Sequence, residues 1–321
     1  MNLRIGSRGS QLALWQANHI AALLRGQGHA VEIEIIKTTG DRLQEVTFAQ
    51  VGSKGMFTKE IEDALADGSV DLAVHSLKDL PTELPELFAL AATPPRVDPR
   101  DAFVSLQYAN LAALPPGARV GTSSQRRRAQ LKALRPDIHA VEFRGNVDTR
   151  LRKLSEGQVD AILLASAGLD RLDKTEWVRE RLEPQDFCPA AGQGSLGIET
   201  RKADAATIAA VAFLDDPVTR FAVTAERAAL AALGGGCQVP IGIHCRPLKN
   251  SVGDDEPWNE IFAVVAAPET GAAVRVYLQA PLSSCGAEEL GRRAVEKLLQ
   301  AGAEALLAST GVVAGNGEPA Q

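Results

Sequence analysis

Cys237 lies in a segment that suits a cysteine used for covalent chemistry. It follows three glycines, residues 234–236, and precedes the short apolar run of residues 239–243. Glycines at a helix end supply left-handed backbone conformations and let a bulky group approach the main chain closely. A free cysteine is more often a small core residue, which needs no such loop. The segment alone therefore leaves an attachment site and a structural cysteine as interpretations of about equal weight.

Arginines lie where predicted strands lead into helices. Thr122, Ser123 and Ser124 join a strand to a helix whose first turn contains residues 126–128, all arginine. Cations at a helix N-terminus lie at the positive end of the dipole and cost about 0.3–1 kcal/mol each when exposed. An anion that binds the N–H groups, the hydroxyls and the guanidinium groups together would explain them. A solvated basic rim is the alternative interpretation.

The same pattern recurs at two other strand ends. Arg144 and Arg150 lie around a strand-to-helix turn that contains Gly145, and Arg8 lies between two serines after the first predicted strand. The chain as a whole is acidic, with a formal net charge of −6. An acidic chain that concentrates arginine in these loops is most simply built to hold a polyanionic small molecule.

A further candidate site follows the strand predicted over residues 70–74. That strand runs directly into the sequence HSLKD at residues 75–79. Ligands of open α/β sheets gather at the carboxyl ends of the strands. A histidine, a lysine and an acid at such a position could do acid–base chemistry, and a solvated turn is the alternative.

The elements that must position these residues form two α/β units and a third unit of different character. Alternating strands and helices over residues 3–95 and 100–188 predict two mostly parallel sheets with covering helices. Two irregular crossings, residues 93–99 and 189–194, join the units and suggest a cleft with hinges. After a long helix at residues 217–233, three strands and a further helix predict an α+β unit with an antiparallel sheet.

Composition narrows the function classes. The 321 residues indicate two or three domains, and the net negative charge argues against a broad nucleic-acid footprint. The four cysteines form no CxxC pair, which makes a disulfide framework improbable, and the five histidines show no metal-ligand spacing. The sequence has no apolar run of 18 residues, and a strand begins by residue 3, so we expect a cytoplasmic protein without a membrane partner.

These motifs in this order resemble those of the hydroxymethylbilane synthases, also called porphobilinogen deaminases, from residue 3 to about residue 307. The matching runs are RIGSRGS at 4–10, LALWQA at 12–17, GSKGMF at 52–57, AVHSLKD at 73–79, GTSS at 121–124, RGNVDTR at 144–150, GQG at 192–194 and GGCQVP at 235–240. Each run is weak evidence alone, but the set has the spacing of the family.

The resemblance implies two hinged α/β domains of the type II periplasmic-binding-protein kind and a small α+β domain that carries the cysteine. The implied limits are residues 1–95 with 195–212 for the first domain, 100–188 for the second, 217–310 for the third, and 311–321 as a flexible tail. It further implies a monomer that joins four porphobilinogen molecules head to tail, with loss of ammonia, into the linear tetrapyrrole hydroxymethylbilane.

The resemblance also implies a dipyrromethane cofactor, bound to Cys237 through a thioether, and a role for each matching residue. Asp79 is the implied catalytic carboxylate, which stabilises the cation left when ammonia departs. The implied cofactor-binding residues are Lys78, Asp79, Thr122, Ser123, Ser124, Arg126, Arg127, Arg144 and Gly145. The implied substrate-binding residues are Arg8, Ser10, Gln16, Lys54, Arg150, Arg171 and Gln193. No metal is expected.

Two alternatives come from other classes. A two-domain carboxylate-binding protein would close on its ligand without chemistry, but it would leave the third domain and its glycine-flanked cysteine without a use. An RNA-binding regulator would use the arginines of residues 126–128 and show steeply salt-dependent affinity. The absence of aromatic residues from these loops disfavours it, because RNA recognition commonly stacks bases on aromatic rings.

Overall fold

The computed structural model describes residues 1–38, 58–234, 239–248 and 257–309, which form three β-sheets with helices packed around them. The strands are β1 (Asn2–Ser7), β2 (Ala30–Ile35), β3 (Leu72–Ser76), β4 (Phe88–Ala92), β5 (Asp101–Val104), β6 (Arg119–Gly121), β7 (His139–Val141), β8 (Ala161–Ala165), β9 (Val178–Leu182), β10 (Leu196–Arg201), β11 (Ile241–Leu248), β12 (Trp258–Ala266) and β13 (Ala273–Pro281). The helices are α1 (Gln11–Gly26), α2 (Lys59–Ala66), α3 (Gln125–Leu134), α4 (Val147–Ser155), α5 (Ser166–Arg171), α6 (Ala205–Val211), α7 (Pro217–Ala232), α8 (Ala287–Gln300) and α9 (Ala303–Ser309).

The first two sheets have the same arrangement. Their strand orders are β2-β1-β3-β10-β4 and β7-β6-β8-β5-β9. In each sheet four strands run in one direction, and the fourth position is filled by an antiparallel strand, β10 or β5. Each of these antiparallel strands directly follows one of the two crossings predicted from the sequence. In the structure the crossings extend over residues 93–100 and 183–195, and the name refers to these ranges from here on. The carboxyl ends of the central parallel strands therefore carry the loops that could line a cleft.

The third sheet is a separate antiparallel layer of order β11-β12-β13. Helices α7 and α8 pack on it around a core of alanine, leucine and isoleucine side chains. Gly291 on α8 lets these helices approach closely, because a Cβ at this position would lie 2.3 Å from the carbonyl oxygen of Ala225. The missing side chain at Gly291 therefore sets the distance between the two helices.

The fold class predicted from the sequence is confirmed: two mixed α/β sheets and an α+β unit with an antiparallel sheet. Strands β4, β5 and β9 were not predicted from the sequence, because each has only four or five residues, too few for a clear hydrophobic period. It also ended the third strand too early. That strand continues to Ser76, because Ser76 pairs with Leu196 on β10, so His75 and Ser76 belong to the strand and not to the turn after it. Among the described residues, no helix is long and apolar enough to span a membrane.

A buried ion pair joins both crossings to the third sheet. Arg96 on the first crossing donates to both carboxylate oxygens of Glu226 on α7, at 2.6 and 3.1 Å, and to the carbonyl of Gln193 on the second crossing. Glu226 is fully buried and also accepts from the backbone N–H groups of Gly192 and Cys245. Burial alone raises the pKa of Glu226, but the neighbouring Arg96 outweighs it and holds the pKa below its usual range.

We predict that Arg96→Met lowers the free energy of unfolding by about 3–5 kcal/mol, because it leaves a buried carboxylate without its counter-ion. The double variant Arg96→Met/Glu226→Leu should recover part of that loss, since no buried charge remains. Arg292→Met removes an exposed ion pair with Glu289 and should cost less than about 1 kcal/mol. Urea unfolding at pH 7 measures all three.

The pH dependence provides a second readout. Because the pKa of Glu226 is lower in the folded state, its stabilising contribution is complete above the unfolded pKa of about 4.3. It is lost as the pH falls further, through the folded pKa, and the double variant should lack this part of the acid destabilisation. Equal urea midpoints for Arg96→Met and Arg292→Met would contradict the role given to the pair.

Candidate active site

Most of the predicted site residues lie at the carboxyl ends of five parallel strands. Arg8 and Ser10 follow β1, Lys78 and Asp79 follow β3 on a short helical turn, residues 122–127 follow β6, residues 144–150 follow β7, and Arg171 ends the helix after β8. The two sets belong to different sheets, yet they meet. Helix α1 contacts α5, and the guanidinium of Arg171 lies over the ring of Trp15, 5.9 Å from its centroid.

A single buried carboxylate organises the second sheet's side of the site. Asp101, the first residue of β5, accepts from Arg126 at 2.6 and 3.2 Å and from Arg127 at 2.7 and 3.0 Å. The side-chain amide of Gln193 donates to the same carboxylate at 2.9 Å. Burial alone raises the pKa of Asp101, but the two guanidinium groups outweigh it and hold the pKa well below its usual range. An anion therefore does bind these arginines, and the protein supplies it.

The sequence suggested that the arginines at the start of α3 form an open turn that binds an external anion. In the structure two of them are instead buried against a carboxylate of the protein. Arg126 and Arg127 are buried, at 4% and 6% exposure, because β5 places Asp101 beneath them. Arg128 points elsewhere and forms an ion pair with Glu142 at 2.9 Å. Only the first two therefore contribute charge to this part of the site.

Lys78 and Asp79 extend the cluster from the first sheet. Lys78 is half-buried and Asp79 is exposed. Burial lowers the pKa of Lys78 below its usual range. The negative charge of Asp79 raises the pKa and the positive charge of Arg127 lowers it, and the net shift is downward. Lys78 is thus close enough to the second sheet's arginines to interact with them electrostatically. Among the described residues of this cluster, three cations accompany two carboxylates, so the cluster carries a net positive charge.

Arg150 adds a cation that has no carboxylate partner in the part of the chain that the structure describes. It donates to the carbonyl of Gly145 at 2.8 Å, and burial, assisted by Arg127, lowers its pKa to about 10. Its neighbour Arg144 instead forms an ion pair with Glu142 at 2.7 Å. Gly145 has a φ of +122°, which only glycine adopts readily, so the turn that carries both arginines requires glycine here.

Arg171 is a second buried cation without an ion pair among the described residues. Its exposed fraction is 8%, it donates to the carbonyl of Gly194 at 2.9 Å, and burial lowers its pKa to about 10. The neighbouring Asp170 pairs with Arg181 instead. A guanidinium group that is largely withdrawn from water and has no directly paired carboxylate is costly unless an anion joins it. Arg150 and Arg171 therefore indicate where the anionic groups of a ligand would bind.

Hydroxyl groups around the cations already have backbone partners. Ser10 and Ser124 accept from the N–H groups of Ala13 and Arg127 and so cap α1 and α3. Thr122 accepts from the Ser124 N–H, and Ser123 donates to the Phe143 carbonyl at 3.1 Å. A capping hydroxyl accepts one bond and still has its proton to donate. Ser10, Thr122 and Ser124 can therefore bind a ligand carboxylate, whereas the proton of Ser123 is already engaged.

The predicted glutamines lie at two different places. Gln16 on α1 is buried and donates to the Ser76 hydroxyl at 2.7 Å, so it supports the end of β3. Gln193 lies on the second crossing and donates to Pro99 and Asp101, while its Oε1 is buried with no hydrogen-bond partner among the described residues. That oxygen could accept an N–H from a ligand.

Two predicted site residues, Cys237 and Lys54, lie outside the described residues. The other three cysteines, Cys188, Cys245 and Cys285, are buried. Burial raises the pKa of the Cys188 and Cys245 thiols well above the usual range, which disfavours the reactive thiolate form.

Sequence reasoning missed Asp101, Arg96 and Glu226. Asp101 is separated from Arg126 by 25 positions, and Arg96 from Glu226 by 130. No local sequence pattern links residues so far apart. The one local signal is Asp101 itself, an acid directly after the first crossing.

Comparisons with known proteins agree on one family. The family model described as "Porphobilinogen deaminase, dipyromethane cofactor binding domain" matches residues 3–209, and that described as "Porphobilinogen deaminase, C-terminal domain" matches residues 220–300. A porphobilinogen deaminase of Pelobacter propionicus is 48% identical over 95% of this chain and 96% of its own length. One from Geobacter sulfurreducens is 46% identical over 95% and 94%.

Among solved structures, the methionine-binding protein MetQ aligns with a TM-score of 0.44 and 11% identity over 66% of this chain and 89% of that chain. A likeness of this size carries no argument. The alternative of a non-catalytic carboxylate-binding protein thus lacks support, whereas both family matches and the curated relatives agree with the motifs of the sequence. The chain belongs to the porphobilinogen deaminase family, and residues 3–209 form its dipyrromethane cofactor-binding domain.

Proposed function

We propose that this protein joins four porphobilinogen molecules into hydroxymethylbilane in the cleft between the first two sheets, on a dipyrromethane bound to Cys237. The observation that carries this proposal is a pair of arginines without an ion pair among the described residues, the half-buried Arg150 and the buried Arg171, beside the positively charged cluster around Asp101. Each pyrrole ring of the substrate carries an acetate and a propionate. Such a ligand supplies the anions that these guanidinium groups need.

The residues present fit a dipyrromethane for the same reason. Arg126, Arg127, Arg144 and Lys78 would hold its carboxylates, with added bonds from the hydroxyls of Thr122 and Ser124. When bound, this group supplies the pyrrole carbon to which the first substrate is joined. The three described cysteines are all buried, which leaves Cys237 as the attachment residue that we propose.

The chemistry that the residues must support is the loss of ammonia followed by carbon–carbon bond formation. The bond between the substrate's aminomethyl carbon and its nitrogen breaks, and the nitrogen leaves with the bonding pair as ammonia. A positive charge develops on the remaining pyrrole, and the carboxylate of Asp79 balances it and accepts hydrogen bonds from the pyrrole N–H groups. When the carbon–carbon bond forms, the pyrrole carbon that makes it loses its hydrogen as a proton, which the released ammonia accepts to become ammonium. Asp79 is exposed at the end of β3, where an entering substrate can reach it. The substrate and the growing chain are bound by the remaining predicted site residues, which are Arg8, Ser10, Gln16, Lys54, Arg150, Arg171 and Gln193.

The proposal includes the organisation of the chain. The first domain comprises residues 1–95 and 195–212, the second residues 100–188, and the third residues 217–310. Residues 311–321, predicted from the sequence to be a flexible tail, lie outside the described residues. The protein acts as a monomer in the cytoplasm. Strand β10 supports the discontinuous first domain, because it pairs with β3 and β4 after the second crossing.

Cys237→Ser should give a folded, inactive protein without an adduct, because a hydroxyl is a much weaker nucleophile than a thiolate. Intact mass and the colour reaction of pyrroles with Ehrlich's reagent measure the adduct. A variant with Cys188, Cys245 and Cys285 all replaced by Ala is the control, and it should keep the adduct. An adduct that survives Cys237→Ser would refute the assignment.

Asp79→Asn should keep the fold and slow ammonia release by roughly 10²–10⁴, because the neutral amide cannot balance the developing positive charge. Single-turnover ammonia release measures this on protein whose cofactor content and circular dichroism match those of the wild type. A rate within a few-fold of the wild-type rate would remove Asp79 from the mechanism.

Arg150→Leu should weaken cofactor assembly and substrate binding by about 1.5–3 kcal/mol for each charge-assisted bond lost, which is roughly 10–150-fold. Arg152→Leu is a matched control on the same helix, because Arg152 is exposed and, within the described part of the chain, forms an ion pair only with Glu156. The fraction of chains that carry the adduct and the KM for porphobilinogen measure the effect. Identical values for both variants would make Arg150 part of a solvated rim.

A further inference from the structure

The backbone N–H and the backbone carbonyl of Cys188, on the second crossing, are both held by one buried side chain. The N–H of Cys188 donates to Oε1 of Gln130 at 2.7 Å, and its carbonyl accepts from Nε2 of the same glutamine at 2.9 Å. Gln130 lies on α3 and is fully buried. The same carbonyl oxygen also accepts from Nη1 of Arg126 at 2.7 Å. The Cys188 carbonyl therefore binds both a structural glutamine and an arginine of the site.

The backbone of Cys188 also forms the contact surface for the third sheet. Gly242 on β11 lies directly against it, since a Cβ at Gly242 would be 2.6 Å from the Cys188 carbonyl oxygen and 2.9 Å from its Cβ. The Ile243 N–H donates to the carbonyl of Pro189, the next residue along the crossing, at 2.9 Å. Strand β11 therefore lies flush on the crossing, with no space for a side chain between them.

We propose that Gln130 and Gly242 are positioning residues for the anion site. Gln130 fixes the Cys188 peptide, and the bare backbone at Gly242 lets β11 lie against that peptide without moving it. Arg126, bonded to the same carbonyl and to Asp101, then keeps its place in the cleft. The third domain's position is thereby coupled to the charge cluster through one peptide. This inference deepens the proposed function and rests on it.

The contact differs from ordinary packing between domains in what it controls. Ordinary packing affects only the free energy of unfolding, whereas a shift of the Cys188 carbonyl also displaces the Arg126 guanidinium. A charge-assisted hydrogen bond depends strongly on distance and angle, so small displacements weaken it. The measurable consequence is impaired assembly of the cofactor in a protein that is still folded.

The experiment uses full-length protein made in a host that produces no porphobilinogen. Porphobilinogen is added, and intact mass follows the rate at which chains acquire the adduct. Gly242→Ala and Gln130→Met should each acquire it about tenfold more slowly than the wild type, which corresponds to the loss of one or two hydrogen bonds. Gln130→Met adds no bulk, so it tests the proposal even where Gly242→Ala folds poorly.

Gly291→Ala is the matched control. It introduces a clash at least as severe, 2.3 Å from the Ala225 carbonyl oxygen against 2.6 Å at Gly242, but on helix α8, with no contact to Cys188. It should lower Tm and leave the rate of adduct formation unchanged at temperatures below unfolding. Wild-type rates in both Gly242→Ala and Gln130→Met, or an equal slowing in Gly291→Ala, would overturn the proposal. A wild-type protein that acquires no adduct would instead overturn the proposed function.

Discussion

Two arginines share one buried carboxylate, and this imbalance of charge is the constraint on which the site depends. Asp101 compensates one of the charges of Arg126 and Arg127, and Arg150 and Arg171 have no carboxylate partner among the described residues. Positive charge shielded from water is costly unless an anion neutralises it. The cleft is therefore prepared for a ligand rich in carboxylates, and its preference follows from charge before any shape is considered.

The position of Asp101 ties this charge cluster to the connections between the domains. It is the first residue after the first crossing, and the second crossing reaches it through Gln193. The Arg96–Glu226 pair joins the same two crossings to the third sheet. Movement of one domain relative to another must therefore be compatible with both buried networks.

Much of the fold could be predicted from the sequence because it is encoded locally. The strands and helices that alternate along the first two units form close to where the sequence predicts them, and the arginines follow strand ends. The short strand β5 could not be found, since its four residues are buried on both faces and show no alternation. The burial of Arg126 and Arg127 was equally hidden, because their counter-ion lies on that unrecognised strand. The hydrogen bonds of Glu226 with Arg96 and of Cys188 with Gln130 join segments far apart in the sequence. They depend on how the three sheets pack together, which a local sequence pattern does not reveal.

The central claim is that the positively charged cleft serves a dipyrromethane covalently bound to Cys237. The most direct test is peptide mapping by mass spectrometry of the untreated wild-type protein. Cleavage with trypsin places Cys237 and Cys245 on one peptide, residues 228–249, so fragment ions must separate the two cysteines. The account predicts a dipyrromethane adduct on the fragments that contain Cys237 and bare mass on those that contain only Cys245. An unmodified Cys237 in protein that converts porphobilinogen would contradict it.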